Sequence, residues 1–346
     1  MTGESSIARY RKLIGRFGRA RIAVVGDLIA DEFLYGEIER VSREAPVLIV
    51  RYDATEIVPG GAGNAANNVA ALGARVDVIG VVGRDEAGRR MLGSLGRRAN
   101  ARGVTVARGH VTPIKTRILA GGVHSAKQQV VRIDRAGTPI GPAVRKQVES
   151  ALVRAIRRAD AVIVSDYGYG LITPGIWKKA LAAAGPNARP IVLVDSRHGL
   201  TGYAGAMTAT TPNESEVEAL LGVRIDENRD VLERAGRELL GRLRCPAVLV
   251  TRGSRGMALF ERDAPTVHIP IVGSDQVTDV TGAGDTVIAT FALALTAGAS
   301  FADAARLANF AGGIVVMKRG TATATGAELL DAIKKDSRSL FTKSVK

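Results

Sequence analysis

Asp285 stands in the run Asp279-Val280-Thr281-Gly282-Ala283-Gly284-Asp285-Thr286, directly before the apolar stretch Val287–Leu295. Glycines ahead of a helix let several backbone N–H groups converge, and the helix dipole adds positive potential at the same place. The amides of Gly282, Ala283 and Gly284 thus form a candidate anion hole, with phosphate as its natural occupant. A carboxylate in the first turn would repel that phosphate unless it had work to do. Taking the proton from a hydroxyl that attacks phosphorus is such work, which makes Asp285 a candidate general base. The plainer alternative is a glycine turn with Asp285 as a helix cap.

A second glycine run, Pro59-Gly60-Gly61-Ala62-Gly63-Asn64-Ala65-Ala66, opens a helical stretch that ends at Leu72-Gly73. Gly61, Gly63 and Ala66 match a dinucleotide fingerprint in spacing, but that fingerprint needs a buried strand leading straight into its first glycine. Glu56-Ile57-Val58-Pro59 intervenes here, so a Rossmann dehydrogenase is the weaker reading. A Gly60-Gly61 turn that admits a polyol to the backbone, with Asn64 bonding its hydroxyls, is the stronger one. No G-x-x-x-x-G-K-[ST] run occurs, which removes a P-loop kinase. Other polar residues fall at or just past the ends of apolar runs: Asp27 and Asp31, Asp166, Asp195, Asn213 with Glu216, and Thr251 with Gly253. In open α/β sheets, ligands bind beyond the carboxyl ends of the strands. Taken singly these residues read as caps and turns, and Asn213 and Glu216 have the spacing of a capping pair.

The elements that must position these groups alternate. Strand-like runs lie at 21–25, 47–52, 76–82, 161–165, 190–194, 247–251 and 257–261. Helical patterns lie at 64–72, 88–98, 143–158, 176–184, 215–221 and 229–243, then at 285–297, 301–317 and 326–335. Alternation of this kind predicts a doubly wound, mostly parallel sheet. Segments 34–57 and 104–134 break it: they are β-rich, with charges on alternate positions, as in a small half-exposed sheet standing off the main body. The two would have to meet in space to make one lid of about 35–57 and 104–134; separate hairpins on the sheet edge are the alternative. Residues 5–18 predict an amphipathic helix ahead of the main domain, 1–20 against 21–335, and 336–346 predict a frayed tail.

The chain has 346 residues, 46% of them apolar and 4% aromatic, with 48 basic and 34 acidic side chains for a net charge of +14. That excess invites nucleic acid, but the basic residues are scattered, carboxylates interrupt them and aromatics for base stacking are scarce. No nucleic-acid partner is expected; anionic small substrates account for the charge. The single cysteine, Cys245, forbids an internal disulfide and suits a reducing compartment. Without a secretory h-region or a long apolar span, no membrane association is expected and the cytoplasm is the expected location.

Gly60-Gly61 with Asn64, Asn213-x-x-Glu216 and Asp279-x-x-Gly282-Ala283-Gly284-Asp285-Thr286 resemble the two signatures and the Asn-x-x-Glu motif of the ribokinase (PfkB-type) carbohydrate kinases, over about 21–330. The resemblance implies a ribokinase-like fold with a β-lid, ATP as phosphoryl donor and Mg²⁺ as cofactor. It implies Asp285 as base, Asn213 and Glu216 organising the Mg²⁺-phosphate end, with Glu216 acting on the metal through water, and Thr251, Gly253, Asn309 and Gly312 near the nucleotide. Asp195 falls with that cofactor group; Asp27, Asp31, Gly60, Gly61, Asn64, Gln129 and Asp166 fall on the substrate side. Within the family the chain is similar to D-glycero-β-D-manno-heptose 7-phosphate kinases. That likeness rests on Arg40-Val41-Ser42-Arg43-Glu44-Ala45-Pro46-Val47, Gln128-Gln129-Val130-Val131-Arg132-Ile133-Asp134, Val164-Ser165-Asp166-Tyr167-Gly168 and Thr211-Pro212-Asn213-Glu214-Ser215-Glu216. Arg43, Leu48, Asp195-Ser196-Arg197 and His124-Ser125-Ala126-Lys127 depart from its usual residues. No nucleotidyltransferase-like segment follows in these residues, so a kinase without that second activity is expected.

A substrate that already bears a phosphate needs cations at its far end. Lys115, Arg117, Lys127 and Arg132 are the candidates by charge, against the alternative of a solvated strand face. An exposed lid edge could also pair with that of a second copy, giving a homodimer.

Overall fold

The computed structural model describes residues 3–122, 127–272 and 278–343; His124, Ser125 and Ala126, singled out above, lie outside the described residues. The chain opens with α1 (Gly3–Ile14) and β1 (Arg21–Gly26), followed by the long hairpin β2 (Leu28–Val41) and β3 (Leu48–Gly61). Next come α2 (Ala62–Ala71), β4 (Arg75–Gly83), α3 (Glu86–Gly93), β5 (Ala99–Ala107), β6 (Ile114–Gly121) and β7 (Gln128–Arg135). The middle of the chain supplies α4 (Pro142–Ile156), β8 (Ala161–Asp166), α5 (Pro174–Ala184), β9 (Ile191–Ser196), β10 (Ala209–Thr210), α6 (Glu214–Leu221) and α7 (Arg229–Leu243). Strands β11 (Ala247–Thr251), β12 (Met257–Glu261) and β13 (Val267–Ile269) precede α8 (Ala283–Thr296), α9 (Phe301–Val315) and α10 (Gly326–Lys343).

Among the described residues, nine strands form the main sheet in the order β13-β12-β11-β10-β9-β8-β1-β4-β5, all running the same way except β12, which is antiparallel to both its neighbours. Apolar side chains alternate between its faces. Ile22 and Val24 of β1 join a core with α2, α8 and α9, while Ala23 and Val25 join another with α4, α5 and α7. This two-faced burial is why the parallel strands read as nearly continuous apolar runs. From β1 the chain winds outward through β4 and β5 on one side, and later through β8 and β9 on the other. The crevice where a doubly wound sheet takes its ligand therefore lies at the carboxyl ends of β1 and β8.

The two β-rich segments do meet: β2, β3, β6 and β7 form a separate four-stranded sheet in the order β3-β2-β6-β7. Strand β6 runs parallel to β2, placing Asp31 opposite Lys115 and Phe33 opposite Arg117. The lid differs in extent from the expectation. Residues 99–107 pair with β4 in the main sheet, so its second segment starts at Ile114 and not near 104. At the other end the hairpin runs back to Leu28 and Gly61, so the lid is rooted in the site. Segment 88–98 is helical only to Gly93. The N-terminal segment is part of the domain core, with Tyr10, Leu13, Ile14 and Phe17 buried, and α10 stays helical to Lys343, past the point where fraying is expected.

Candidate active site

Asp285 lies in the first turn of α8, whose residues from Asp285 to Ala294 are buried. The turn before it is held from below by Asp279, which accepts the N–H of Thr281 at 2.9 Å and that of Gly320 at 3.0 Å. Gly282 has φ +75°, and a Cβ there would collide with Nδ2 of Asn64. Glycine is therefore required by both backbone conformation and space. Ala283 turns its N–H to the Val280 carbonyl at 3.2 Å. Among the described residues the N–H groups of Gly282 and Gly284 have no backbone partner, so of the three amides expected to form an anion hole these two are free to donate while Ala283 is engaged in the turn. A Cβ at Gly284 would meet nothing within 4 Å, because that position faces open cleft.

The carboxylate of Asp285 is 4% exposed and bonded on both oxygens. Asn64 Nδ2 donates to Oδ2 at 2.8 Å, and the Tyr167 hydroxyl donates to Oδ1 at 3.2 Å. Asn64 is itself held: Asn68 Nδ2 donates to Asn64 Oδ1 at 3.1 Å, and Thr286 Oγ1 donates to Asn68 Oδ1 at 2.9 Å. This relay locks the first turns of α2 and α8 to each other, so one side chain from the Gly60-Gly61 turn fixes the acid of the other glycine run. Burial pushes the Asp285 carboxyl up to about 7, against the Asn64 hydrogen bond, and the nearby charge of Asp31 adds to the rise. A carboxylate with a pKa near neutrality is suited to proton abstraction at physiological pH.

On the lid side Arg117 Nη1 donates to Asp31 Oδ1 at 2.7 Å, and both side chains are buried. Gly60 is packed against the same carboxylate, where a Cβ would strike Asp31 Oδ2. Gly61, at φ +54°, completes the tight turn into α2. Lys115 extends over the Tyr167 ring, with Nζ 4.6 Å from its centroid. Burial and the neighbouring Arg197 lower the Lys115 ammonium to about 8. The other candidate cations are paired: Lys127 with Asp53, Arg132 with Asp134 at 2.6 Å, and Arg117 with Asp31. Among the described residues Lys115 has no ion pair. Gln129 is exposed on β7 and does not line the cleft.

Two expected substrate ligands have structural duties. Asp27 Oδ2 accepts the N–H groups of Tyr167 at 2.8 Å and Tyr169 at 3.2 Å, and burial raises this carboxyl to about 6. Asp166 accepts from Ser196 Oγ at 2.8 Å, Tyr203 OH at 3.1 Å and Gly168 N at 3.0 Å. Together they set the loop that carries Tyr167 beneath Asp285.

Beyond Asp285 lies a polar cleft of about 220 Å³, lined among others by Asp166, Asp195, Arg197, Asn213, Glu216 and Thr251. It adjoins an apolar cleft of about 200 Å³ bounded by Gly253, Met257, Val272, Val287, Asn309 and Gly312. Thr251, Val280 and Gly284 border both. An apolar slot joined to a polar channel at a helix N-terminus suits a flat base followed by phosphates. Asn213 and Glu216 do form a capping box, each accepting the other's backbone N–H at 2.9 Å, and still line the polar cleft. Asn309 Nδ2 donates to the Pro270 carbonyl at 2.7 Å, fixing one edge of the apolar cleft.

Among the described residues no cluster of three or more metal-ligating side chains is present. Mg²⁺ does not need one, since it keeps several waters and binds through one or two carboxylates plus substrate phosphates. Asp195 and Glu216 supply that pair of carboxylates at the cleft wall. Burial raises Asp195 to about 8, and repulsion from Glu216 and Asp285 adds to it, a penalty that a bound cation removes. The donor set therefore fits Mg²⁺.

Tyr167, Asn68, Thr286 and Arg197 enter the site without having been singled out as site residues in the sequence. A lone tyrosine or arginine in a loop has no spacing to betray it. The usable signals were the position of Tyr167 directly after a strand-end aspartate, Thr286 at the end of the glycine run and the departure at Asp195-Ser196-Arg197.

Known proteins resemble this chain in sequence and in fold. The model of the pfkB family carbohydrate kinases matches residues 19–327. The Bifunctional protein HldE of Pelobacter propionicus is 40% identical over 323 residues, which cover 93% of this chain and 64% of that protein. Its counterpart in Geobacter metallireducens is 42% identical over 312 residues, 90% of this chain and 62% of that protein. The chain thus spans somewhat less than two thirds of the length of these relatives. Among solved structures, the fold is similar to Arabidopsis thaliana ribokinase complexed with ribose and ATP, with TM-score 0.71, 23% identity and coverage of 91% of this chain and 99% of that one. It is similar also to phosphofructokinase-2 from Escherichia coli in complex with substrates and products, with TM-score 0.73, 19% identity and coverage of 91% and 99%. The nine-stranded sheet with its four-stranded lid is thus the ribokinase-like fold, and the chain belongs to the pfkB family of carbohydrate kinases, phosphotransferases with an alcohol group as acceptor.

Proposed function

We propose that the protein transfers the γ-phosphoryl group of ATP to O1 of D-glycero-β-D-manno-heptose 7-phosphate, giving the 1,7-bisphosphate used in ADP-heptose synthesis. The observation that carries the kinase reading is the placement of Asp285. It is a buried carboxylate with a raised pKa at a helix N-terminus, gripped by an asparagine from the lid-side glycine turn. The heptose phosphate reading is supported by the relatives named HldE, by the sequence strings shared with heptose 7-phosphate kinases and by the unpaired Lys115.

In this mechanism the sugar lies between the lid and α8, with its attacking hydroxyl at Asp285. That carboxylate takes the hydroxyl proton, the oxygen bonds to the γ-phosphorus, and the bond from phosphorus to the β–γ bridging oxygen breaks to release ADP. The free amides of Gly282 and Gly284 hold phosphate oxygens, and Asn64 with Tyr167 keeps the carboxylate aimed. Asp195 and Glu216, the latter through water, would hold Mg²⁺, which when bound neutralises charge on the phosphates. Lys115 is the cation for the phosphate the sugar already carries, because its three rivals are neutralised by aspartates.

The reading is tested by assaying ATP consumption with heptose 7-phosphate, fructose 6-phosphate, ribose and fructose, and assigning the product by ³¹P NMR. A new anomeric phosphate with the heptose, at a kcat/KM well above that of the other sugars, is expected. Preference for another sugar would overturn the substrate, and no turnover with any of them would overturn the activity.

The lid also supports a homodimer. Val41, Val47, Leu48 and Tyr52 are exposed on its hairpin, and Val130, Val131 and Ile133 on β7. An exposed apolar sheet of this kind seeks a partner. Light scattering of the wild type and of Tyr52→Asp should give a dimer and a monomer; a monomeric wild type would remove the proposal. Among the described residues no helix is long and apolar enough to cross a membrane.

A further inference from the structure

The polar cleft contains a cation that the mechanism above leaves unused. Its walls hold the carboxylates of Asp166, Asp195, Glu216 and Asp285, and among the described residues that line it the one cation is Arg197. In such company a guanidinium would ordinarily pair with a carboxylate. Arg197 forms no ion pair among the described residues. It sits instead over the Tyr167 ring, with Cζ 4.5 Å from the ring centroid. A guanidinium that lies on an aromatic face keeps the N–H groups at its edge free, and they are suited to bidentate contact with phosphate oxygens. This contact fixes its direction: the hydroxyl of that same ring donates to Asp285. The backbone is fixed as well, since Arg197 N–H donates to the Asp166 carbonyl at 3.1 Å. Lys115 reaches the same ring from the lid, and the positive charge of Arg197 bears on its ammonium.

Resting on the ATP-dependent kinase reading, we infer that Arg197, braced on Tyr167, contacts the phosphoryl group in transfer across the cleft from the Gly282 and Gly284 amides. As the sugar hydroxyl gives its proton to Asp285 and its oxygen bonds to phosphorus, the bond to the bridging oxygen of the leaving ADP breaks. Negative charge spreads over the three oxygens of the moving group during this exchange. The amides meet that group from the α8 side and Arg197 meets it from the β9 side. The Asp195-Ser196-Arg197 departure noted in the sequence is therefore a change within the catalytic cleft. An arginine there offers a planar fork that can lie on the Tyr167 ring, which an ammonium group does not.

The test compares ADP with the non-hydrolysable triphosphate AMP-PNP, each with Mg²⁺, by titration calorimetry on wild type, Arg197→Gln, Arg197→Lys, Tyr167→Phe and Tyr167→Leu. Arg197→Gln should weaken AMP-PNP about 10-fold or more while leaving ADP within about 2-fold, and should lower kcat about 10- to 100-fold. Arg197→Lys should recover part of the AMP-PNP affinity. Tyr167→Phe keeps the ring and should keep the wild-type ratio of the two affinities, whereas Tyr167→Leu should lose it. An unchanged ratio in Arg197→Gln, or equal weakening of ADP and AMP-PNP, overturns the inference. Because binding is read without a sugar, a wild type that discriminates the two nucleotides through Arg197 yet prefers another of the sugars tested would overturn the substrate reading alone.

Discussion

Asn64 Nδ2 donates a 2.8 Å hydrogen bond to Asp285 Oδ2, joining side chains 221 positions apart in the chain. It ties the helix that follows the lid hairpin to the helix that carries Asp285 in its first turn. The lid side and the α8 side of the cleft are thereby set by one contact.

The asparagine relay should matter to rate more than to affinity. Asn68→Ala removes the group that holds Asn64 Oδ1 and receives Thr286 Oγ1. The account predicts a fall in kcat of about 10-fold or more, with the KM for ATP little changed, because aim at the transition state is lost while nucleotide contacts remain. Steady-state kinetics read both constants.

The pH dependence has a definite sign. Burial raises the folded-state pKa of Asp285 from an ordinary carboxyl value to about 7. The protonated form is favoured by folding, so its stabilising share is complete below the unfolded pKa and is lost as pH rises through about 7. Activity runs the other way, since the base must be ionised, and kcat/KM should climb through the same range. Asp285→Asn cannot ionise; it should unfold at a higher temperature than wild type at pH 8, with the gap closing at pH 5. Calorimetric melting at the two pH values checks this.

Two glycines three residues or fewer from Asp285 should respond differently. At Gly282 the positive φ and the collision with Asn64 make Gly282→Ala destabilising by about 1–3 kcal/mol or more. At Gly284 a methyl group meets open space, so Gly284→Ala should melt like the wild type and lose activity by filling the place of a phosphate oxygen. Melting curves and rates measured side by side separate the two.

Lys115→Met should raise the KM for the phosphorylated sugar about 10-fold or more and leave that for ATP nearly unchanged, as expected for loss of one charge-assisted contact. An equal effect on both substrates would remove Lys115 from the sugar side.

Much of this was legible in the sequence where local rules act. The parallel strands announced themselves as apolar runs, and both glycine turns as conformations that side chains forbid. The lid was legible as alternation, but not its limits. Residues 99–107 and 114–121 have similar composition, and only pairing with β4 or with β2 separates them. The duties of Asp27 and Asp166 were not legible, because an aspartate at a strand end looks the same whether it faces a ligand or a loop N–H. Lys115 could not be told from Arg117, Lys127 and Arg132 either, since the aspartates that neutralise those three come from elsewhere in the sheet or from beside them.

The most direct test of the account is the kcat of Asp285→Asn with ATP and heptose 7-phosphate, alongside calorimetric binding of ADP to the same variant. Asparagine preserves shape and the contact with Tyr167 but cannot take a proton. The account predicts a loss of about 10²- to 10⁴-fold in kcat with ADP binding within about 2-fold of wild type. Turnover near the wild-type rate in a variant that binds ADP normally would contradict the assignment of Asp285 as the base.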